Sequence, residues 1–192
     1  MSSPQELNVS AIKELLHELG RRLAARGIRA ELYIFGGAAV AMAYNARRIT
    51  GDIDAYMRPS EEVYKEARKM ARELGLSDGW LSGDGAAWLP NLPAGWQDDG
   101  EDFSGLRVSV ADPRTPIAMK LIASRARDTK DLVLLFREVG IESPEEAVAI
   151  VRDLYPDGVA TRESTDEELE IEAQEILELL AQEAKAAGGS GA

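Results

Sequence analysis

Phe35-Gly36-Gly37-Ala38-Ala39-Val40-Ala41-Met42-Ala43-Tyr44-Asn45-Ala46-Arg47-Arg48-Ile49-Thr50-Gly51-Asp52-Ile53-Asp54 is the stretch on which the reading of this chain turns. It runs from a strand end through a diglycine turn, a short helix (Ala38–Ala46) and a loop to a second strand carrying two aspartates at i and i+2. Residues two apart in a strand point to one face, with Cα atoms roughly 6.6 Å apart at a rise of about 3.3 Å per residue. Ile53 points the other way, into a core. Asp52 and Asp54 then present paired hard oxygen ligands, the donor type that suits Mg²⁺. Glycine tolerates positive φ and close backbone approach, so Gly36 and Gly37 can bring the first N–H groups of the following helix up to a phosphate.

Working outward, Glu31 to Phe35 reads as the strand before the glycines, and Asp52 to Met57 as the strand after them, stopped by Pro59. Val9 to Arg26 is an amphipathic helix, with Val9, Ile12, Leu16, Leu19 and Leu23 at three- and four-residue steps and Gly27 as its stop. His17 falls off that stripe, toward solvent. Ser60-Glu61-Glu62 opens a helix with Ser60 as cap, running to about Leu74, with Val63, Ala67, Met70, Ala71 and Leu74 inward. Asn45 is a helix terminator, and Arg47 and Arg48 are either phosphate contacts or surface charge.

Ser77 to Ser104 is rich in Gly, Asp, Trp and Pro and holds Trp80, Trp88 and Trp96. It reads as loops around one short strand, Ala86–Leu89. Two uses for the tryptophans stand open: stacking a base or sugar, or plugging the underside of the loops. Asp98–Asp102 reads as a solvated acidic turn. Leu106 to Ala111 alternates as a strand. Helices follow at Pro116–Arg127, Thr129–Val139 and Ser143 to about Leu154, broken at Tyr155-Pro156-Asp157-Gly158. A last helix runs from Thr165 to about Ala187, with Leu169, Ala173, Ile176 and Leu180 as its stripe, broadened by Ile171 and Leu177.

Composition bounds the chemistry. The chain has 192 residues, 45% apolar and 29% charged, with no Cys, one His and a net charge of −12. Thiolate zinc sites, disulfides and His-paired catalysis are thereby excluded. No apolar run reaches membrane-spanning length. The first residues lack a basic region followed by an apolar one, so the expected location is cytoplasmic. The acidic balance disfavours non-specific nucleic-acid binding and suits a cationic small molecule or a basic protein partner.

The Gly36-Gly37 turn, the spacer ending in Thr50 and the Asp52-Ile53-Asp54 pair resemble the active-site signature of the nucleotidyltransferase superfamily. A second block, Met119-Lys120-Leu121-Ile122-Ala123-Ser124-Arg125-Ala126-Arg127-Asp128-Thr129-Lys130-Asp131-Leu132, looks like that of AbiEii-type and related nucleotidyltransferases of toxin–antitoxin and phage-defence systems. The likeness covers about Ile28 to Tyr155. It implies an α/β (α+β) fold: a small mixed sheet of about four strands flanked by helices, with a helical C-terminal part. The expected division is a core over 1–112, a helical part over 113–187 packed on it, and a flexible tail over 188–192.

The same likeness implies a Mg²⁺-dependent enzyme that moves a nucleoside monophosphate from a nucleoside triphosphate to an RNA (tRNA) or protein acceptor, beside a cognate partner protein. An aminoglycoside nucleotidyltransferase and a non-catalytic nucleotide- or partner-binding relative are the alternatives. Asp52 and Asp54 would bind metal; Gly36, Gly37 and Thr50 would hold phosphates. Lys120 would bind the nucleotide, and Asp131 would be a further catalytic acid. Charge balance asks for a fixed cation near the triphosphate and the aspartates. Lys120 is expected there, its removal weakening triphosphate binding with little effect on thermal stability. Many superfamily members carry a third metal-binding carboxylate on a strand after the pair. The matching strand here, Leu106–Ala111, holds Arg107 and Ser109 but no acid.

Overall fold

The computed structural model describes residues 6–44, 48–156 and 165–188. Asn45, Arg47, the Asp157-Gly158 break and the tail 189–192 lie outside them. The chain divides into two compact units, Met1–Ala111 and Asp112–Ala192.

The first unit is built on a mixed sheet. Its strands are β1 (Ala30–Phe35), β2 (Ile53–Arg58), β3 (Leu81–Ser82), β4 (Glu101–Phe103) and β5 (Leu106–Val110), in the order β3-β2-β1-β5-β4. β1 pairs antiparallel with β2 and parallel with β5; β3 is parallel to β2, and β4 is antiparallel to β5. The α/β class with a small mixed sheet is therefore the one observed, with five strands where about four were expected.

The two extra strands lie in the Ser77–Ser104 stretch. β3 has two residues, too few for any alternation to register. β4 is an edge strand whose Glu101 and Asp102 are exposed, the usual way a protein protects a sheet edge, and so it reads as part of an acidic turn. The strand expected at Ala86–Leu89 is instead a 3-10 helix, Asp84–Trp88.

Register sorts the sheet into two faces. Leu32, Ile34, Ile53, Ala55, Met57, Leu106 and Val108 are buried on one. Helix α1 (Val9–Ala25) covers that face, with Ile12, Leu16, Leu19 and Leu23 fully buried. Its cap is Asn8, whose Oδ1 accepts from the Ala11 N–H at 2.9 Å. Helix α3 (Ser60–Leu74) packs on α1 and β2. Pro59 holds the α3 cap position, so Ser60 is the first helical residue and makes no cap bond. Leu74, expected inward, is exposed, while Glu66 is buried and accepts from Arg26 at 3.1 Å.

The opposite face carries Glu31, Tyr33 and Phe35 of β1, Asp54 and Tyr56 of β2, and Ser109 of β5. The loop between the 3-10 helix and β4 closes over part of it. Trp96 meets Tyr33 edge-on at 5.7 Å and Tyr56 at 6.1 Å, and the Ser109 hydroxyl donates to the Trp96 carbonyl at 2.6 Å. Trp80 is fully buried and donates to the Ala67 carbonyl at 3.0 Å. For these two tryptophans the packing reading is the right one; Trp88 remains 43% exposed. His17 is exposed and tilted against the Phe103 ring at 4.7 Å.

The second unit is helical: α4 (Arg114–Ala123), α5 (Thr129–Val139), α6 (Pro144–Leu154) and α7 (Asp166–Gly188). The helix expected to reach Arg127 stops at Ala123, because Ser124 takes a left-handed φ of 45° and a 3-10 turn over Ala126–Asp128 follows. α6 is capped by Ser143, which accepts from Glu146 at 3.4 Å, with Pro144 in its first turn. Leu169, Ala173 and Ile176 of α7 are buried, but Ile171 is 56% exposed and does not widen the stripe. The helix extends to Gly188, beyond the expected end at Ala187.

Gly20 sets how closely α1 approaches the β4–β5 hairpin. A Cβ there would lie 1.8 Å from the Phe103 carbonyl oxygen and 2.9 Å from Leu106 Cβ. Backbone cannot yield as a side-chain tip can. Gly20→Ala is expected to lower the unfolding free energy by about 3 kcal/mol, the upper end for an overpacked core. A urea melt indistinguishable from the parent's would refute the close approach.

Candidate active site

Antiparallel pairing puts Phe35, the last residue of β1, directly opposite Asp54 of β2. Directly opposed residues share a face, so the chain leaving β1 starts beside the Asp54 carboxylate. It leaves as helix α2 (Gly36–Ala43), whose first two residues are the glycines. The helix thus begins two residues earlier than the expected Ala38, and the diglycine is its first turn rather than a turn before it. Phe35 occupies the cap position without a side-chain cap bond.

Gly36 is required where it stands, and Gly37 lets the turn pass close to two side chains. Gly36 has a φ of 65°, a conformation that side chains rarely adopt, and a Cβ on it would sit 2.9 Å from Asp54 Oδ2. A Cβ on Gly37 would lie 2.9 Å from Thr50 Oγ1 and 3.2 Å from the Arg48 guanidinium. Thr50 is held by a two-way backbone bridge to Leu7, with N–H···O distances of 3.0 and 2.7 Å. Gly36, Gly37, Thr50, Arg48 and Asp54 therefore converge on the first turn of α2, most of them across a long gap in sequence.

Asp52 precedes β2 and is exposed; Ile53 is fully buried; Asp54 is half-buried. The core takes Ile53 and turns both neighbouring carboxylates out of it. Asp54, on whose carboxylate a Cβ at Gly36 would press, offers a hard oxygen donor of the kind that suits Mg²⁺, and the exposed Asp52 two positions before it is a second acid of the same type. Among the described residues no group of three or more His, Cys, Asp or Glu gathers as a metal cage. The β5 position on this face is Ser109, not a further acid, and its hydroxyl is engaged by the Trp96 loop.

Sequence reasoning passed over Gly85. It lies in the 3-10 helix, where a Cβ would stand 2.7 Å from the Phe35 ring and 3.9 Å from Asp54 Oδ1. Its neighbour Asp84 is tied by an N–H donated to Ser82 Oγ at 3.1 Å, and Ser82 is in register with Asp54. A glycine inside a loop-like stretch was the only available signal. Arg48 had a signal, a doublet of arginines just before the aspartates, that left its use open.

Lys120 and Asp131 belong to the second unit. Lys120, in the last turn of α4, is only 7% exposed; its ammonium is paired with Asp128 and lies 2.8 Å from Asp131 Oδ2. Asp131 is 4% exposed and sits in the first turn of α5, with Asp128 just before that helix. A cation at one helix C-terminus and acids at the next N-terminus complement both dipoles and fasten the α4–α5 corner. This corrects the expectation that Lys120 is thermally silent. Removing it leaves the buried Asp131 and the half-buried Asp128 carboxylates without their cation, a loss of about 3–5 kcal/mol. Lys120→Ala should show a matching drop in chemical denaturation, and an unchanged midpoint would contradict the corner role.

A family model described as nucleotidyltransferase of unknown function (DUF6036) matches residues 10–143, and the chain belongs to that family. Its class is thus nucleotidyltransferase, an enzyme class. No curated protein and no solved structure matches the chain significantly. Among the described residues no helix is long and apolar enough to cross a membrane.

Proposed function

We propose that this nucleotidyltransferase transfers a nucleoside monophosphate from a Mg²⁺-bound nucleoside triphosphate to an RNA (tRNA) or protein acceptor, as a cytoplasmic component of a bacterial toxin–antitoxin or phage-defence system with a cognate partner. The observation that carries the chemistry is that the Asp54 carboxylate faces Gly36 while Thr50 and Arg48 face Gly37, on one and the same first turn of α2. The setting rests on the resemblance of the Met119–Leu132 block alone.

Asp52 and Asp54 would hold the metal. When bound, it neutralises phosphate charge and orients the triphosphate. The uncapped N–H groups at the start of α2 point along the helix axis and donate to a phosphate oxygen. Arg48 adds a guanidinium matched to phosphate geometry, and the Thr50 hydroxyl a further donor. In the transfer, an acceptor hydroxyl attacks the α-phosphorus, the bond to the bridging oxygen breaks, pyrophosphate leaves, and the acceptor proton passes to solvent. The chain's part is mostly positioning and charge stabilisation, as phosphoryl transfer demands. The roles of Lys120 in nucleotide binding and of Asp131 as a further acid are carried by the resemblance; in the second unit both also hold the α4–α5 corner.

The net charge of −12 favours a second acceptor class, a cationic small molecule such as an aminoglycoside. One assay covers both. Protein is incubated with each labelled nucleoside triphosphate, with Mg²⁺ or with chelator, and with tRNA, protein or aminoglycoside as acceptor. Label should move to one acceptor in Mg²⁺ only. Asp52→Asn and Asp54→Asn should each reduce transfer about 100-fold or more, the scale of several kcal/mol of lost charge stabilisation, with unchanged circular dichroism. Full turnover by either variant would remove the assignment.

A further inference from the structure

We propose that the groove between α7 and the α4–α5 corner docks a basic amphipathic helix of a partner protein. The groove lies wholly in the second unit, so it is independent of the nucleotide site read in the first.

One wall is the face of α7 from Glu168 to Leu179. It is roughly 16 Å long at a rise of about 1.5 Å per residue. The other wall runs from Leu121, near the end of α4, through the left-handed turn at Ser124 to Thr129 at the start of α5. Between them lies a space of about 550 Å³. Both walls are formed in advance. α7 is seated on its unit by the buried Leu169, Ala173 and Ile176. The corner is held by the Lys120 ion pairs and by the Thr129 hydroxyl, which donates to the Ala126 carbonyl at 2.9 Å.

The lining is apolar with an acidic rim. Six large hydrophobics are exposed among the described residues, and two of them, Ile171 (56%) and Leu179 (37%), border this one groove. Exposed hydrophobics scattered singly need no partner; two on a preformed groove, with Leu121 and Ile176 at its base, point to one. Ile171 and Leu179 stand about two turns apart along α7. A strip of that length fits an occupant that is itself a helix, with apolar anchors at i, i+3 or i+4 and i+7. Charge selects which helix. Glu168, Glu172 and Glu175 line the α7 wall against one base, Arg125, on the other. From Asp166 to Lys185, α7 holds eight acids and one base. A second copy bringing its own α7 would set acid against acid, and nucleic acid or an anionic membrane would be repelled. A helix with Leu or Ile on one side and Lys or Arg beside it covers the apolar strip and meets the carboxylates.

Three synthetic peptides of about 12 residues, the length of the α7 wall, serve as probes. One carries leucines at helical spacing with lysines beside them, one has glutamates in place of the lysines, and one is the lysine peptide with its leucine stripe scrambled. Each, fluorescently labelled, is titrated with the full-length parent and with Ile171→Ser, Glu175→Lys and Asp99→Lys proteins. All three substitutions fall on exposed side chains, so circular dichroism should be unchanged. The parent should bind the lysine peptide at one saturable site and the other two at least about tenfold more weakly. Ile171→Ser should weaken the lysine peptide about tenfold. Glu175→Lys should weaken it about fivefold and strengthen the glutamate peptide. Asp99→Lys makes the same change in net charge within the first unit and should bind as the parent does. Equal binding of the lysine and glutamate peptides, lysine-peptide affinity unaltered in Ile171→Ser, or a loss in Asp99→Lys matching that in Glu175→Lys would overturn the docking site. So would a parent dimer in sedimentation equilibrium that Ile171→Ser dissociates, since the groove would then belong to a second copy.

Discussion

The pairing of Phe35 with Asp54 across the β1–β2 ladder is the constraint on which the first unit depends. It puts the end of one strand and the start of its neighbour on a single face, at the point where the chain must turn into a helix. The turn has to pass within van der Waals reach of a carboxylate, and only a residue without a Cβ at positive φ does so. Gly36 meets both conditions. Gly37 then repeats the close approach against Thr50 and Arg48. The α2 N-terminus, the carboxylate, the hydroxyl and the guanidinium are consequently assembled by backbone geometry. Of these groups only the Arg48 guanidinium sits on a long side chain; the others are backbone or short side chains, which lose little rotamer entropy.

The other residues of that face explain why β5 offers no further carboxylate. Ser109 stands one step along the face from the residues opposite Asp54, on the strand where the family resemblance leads one to look for a third acid. The Trp96 loop lies over it, joined by a buried hydroxyl-to-carbonyl bond and by two edge-on ring contacts with Tyr33 and Tyr56. An ionised acid at that position would be desolvated beneath an indole with a carbonyl for its neighbour, a combination that costs several kcal/mol. The face therefore carries a fixed wall where a third acid would stand.

Much of this arrangement is legible in the sequence. The α/β class, the long amphipathic helices and the strand–glycine–helix–aspartate order follow from strong local signals: repeated leucines at helical spacing in α1, alternation in β5, and glycines at positive φ where helices stop. What stays hidden does so for physical reasons. β3 is two residues long and β4 is disguised by acids that guard an edge. The 3-10 helix resembles a strand because Ala86-Ala87-Trp88-Leu89 is a short apolar run, which has no distinguishing period. Lys120 between apolar neighbours reads as a free cation. Its partners Asp128 and Asp131 stand 8 and 11 positions later and meet it only because Ser124 breaks the helix. A left-handed serine gives no signal in composition or periodicity.

That the Asp52–Asp54 pair and the glycine turn form one divalent-cation site is tested most directly by paramagnetic Mn²⁺. The ion is added at substoichiometric levels to isotopically labelled protein with a non-hydrolysable nucleoside triphosphate, and the loss of amide resonances is followed. The resonances of Gly36, Gly37, Thr50, Ile53 and Asp54 should broaden first and together. Broadening that begins among the acids of α3 or α7, and leaves the α2 turn sharp, would contradict the account.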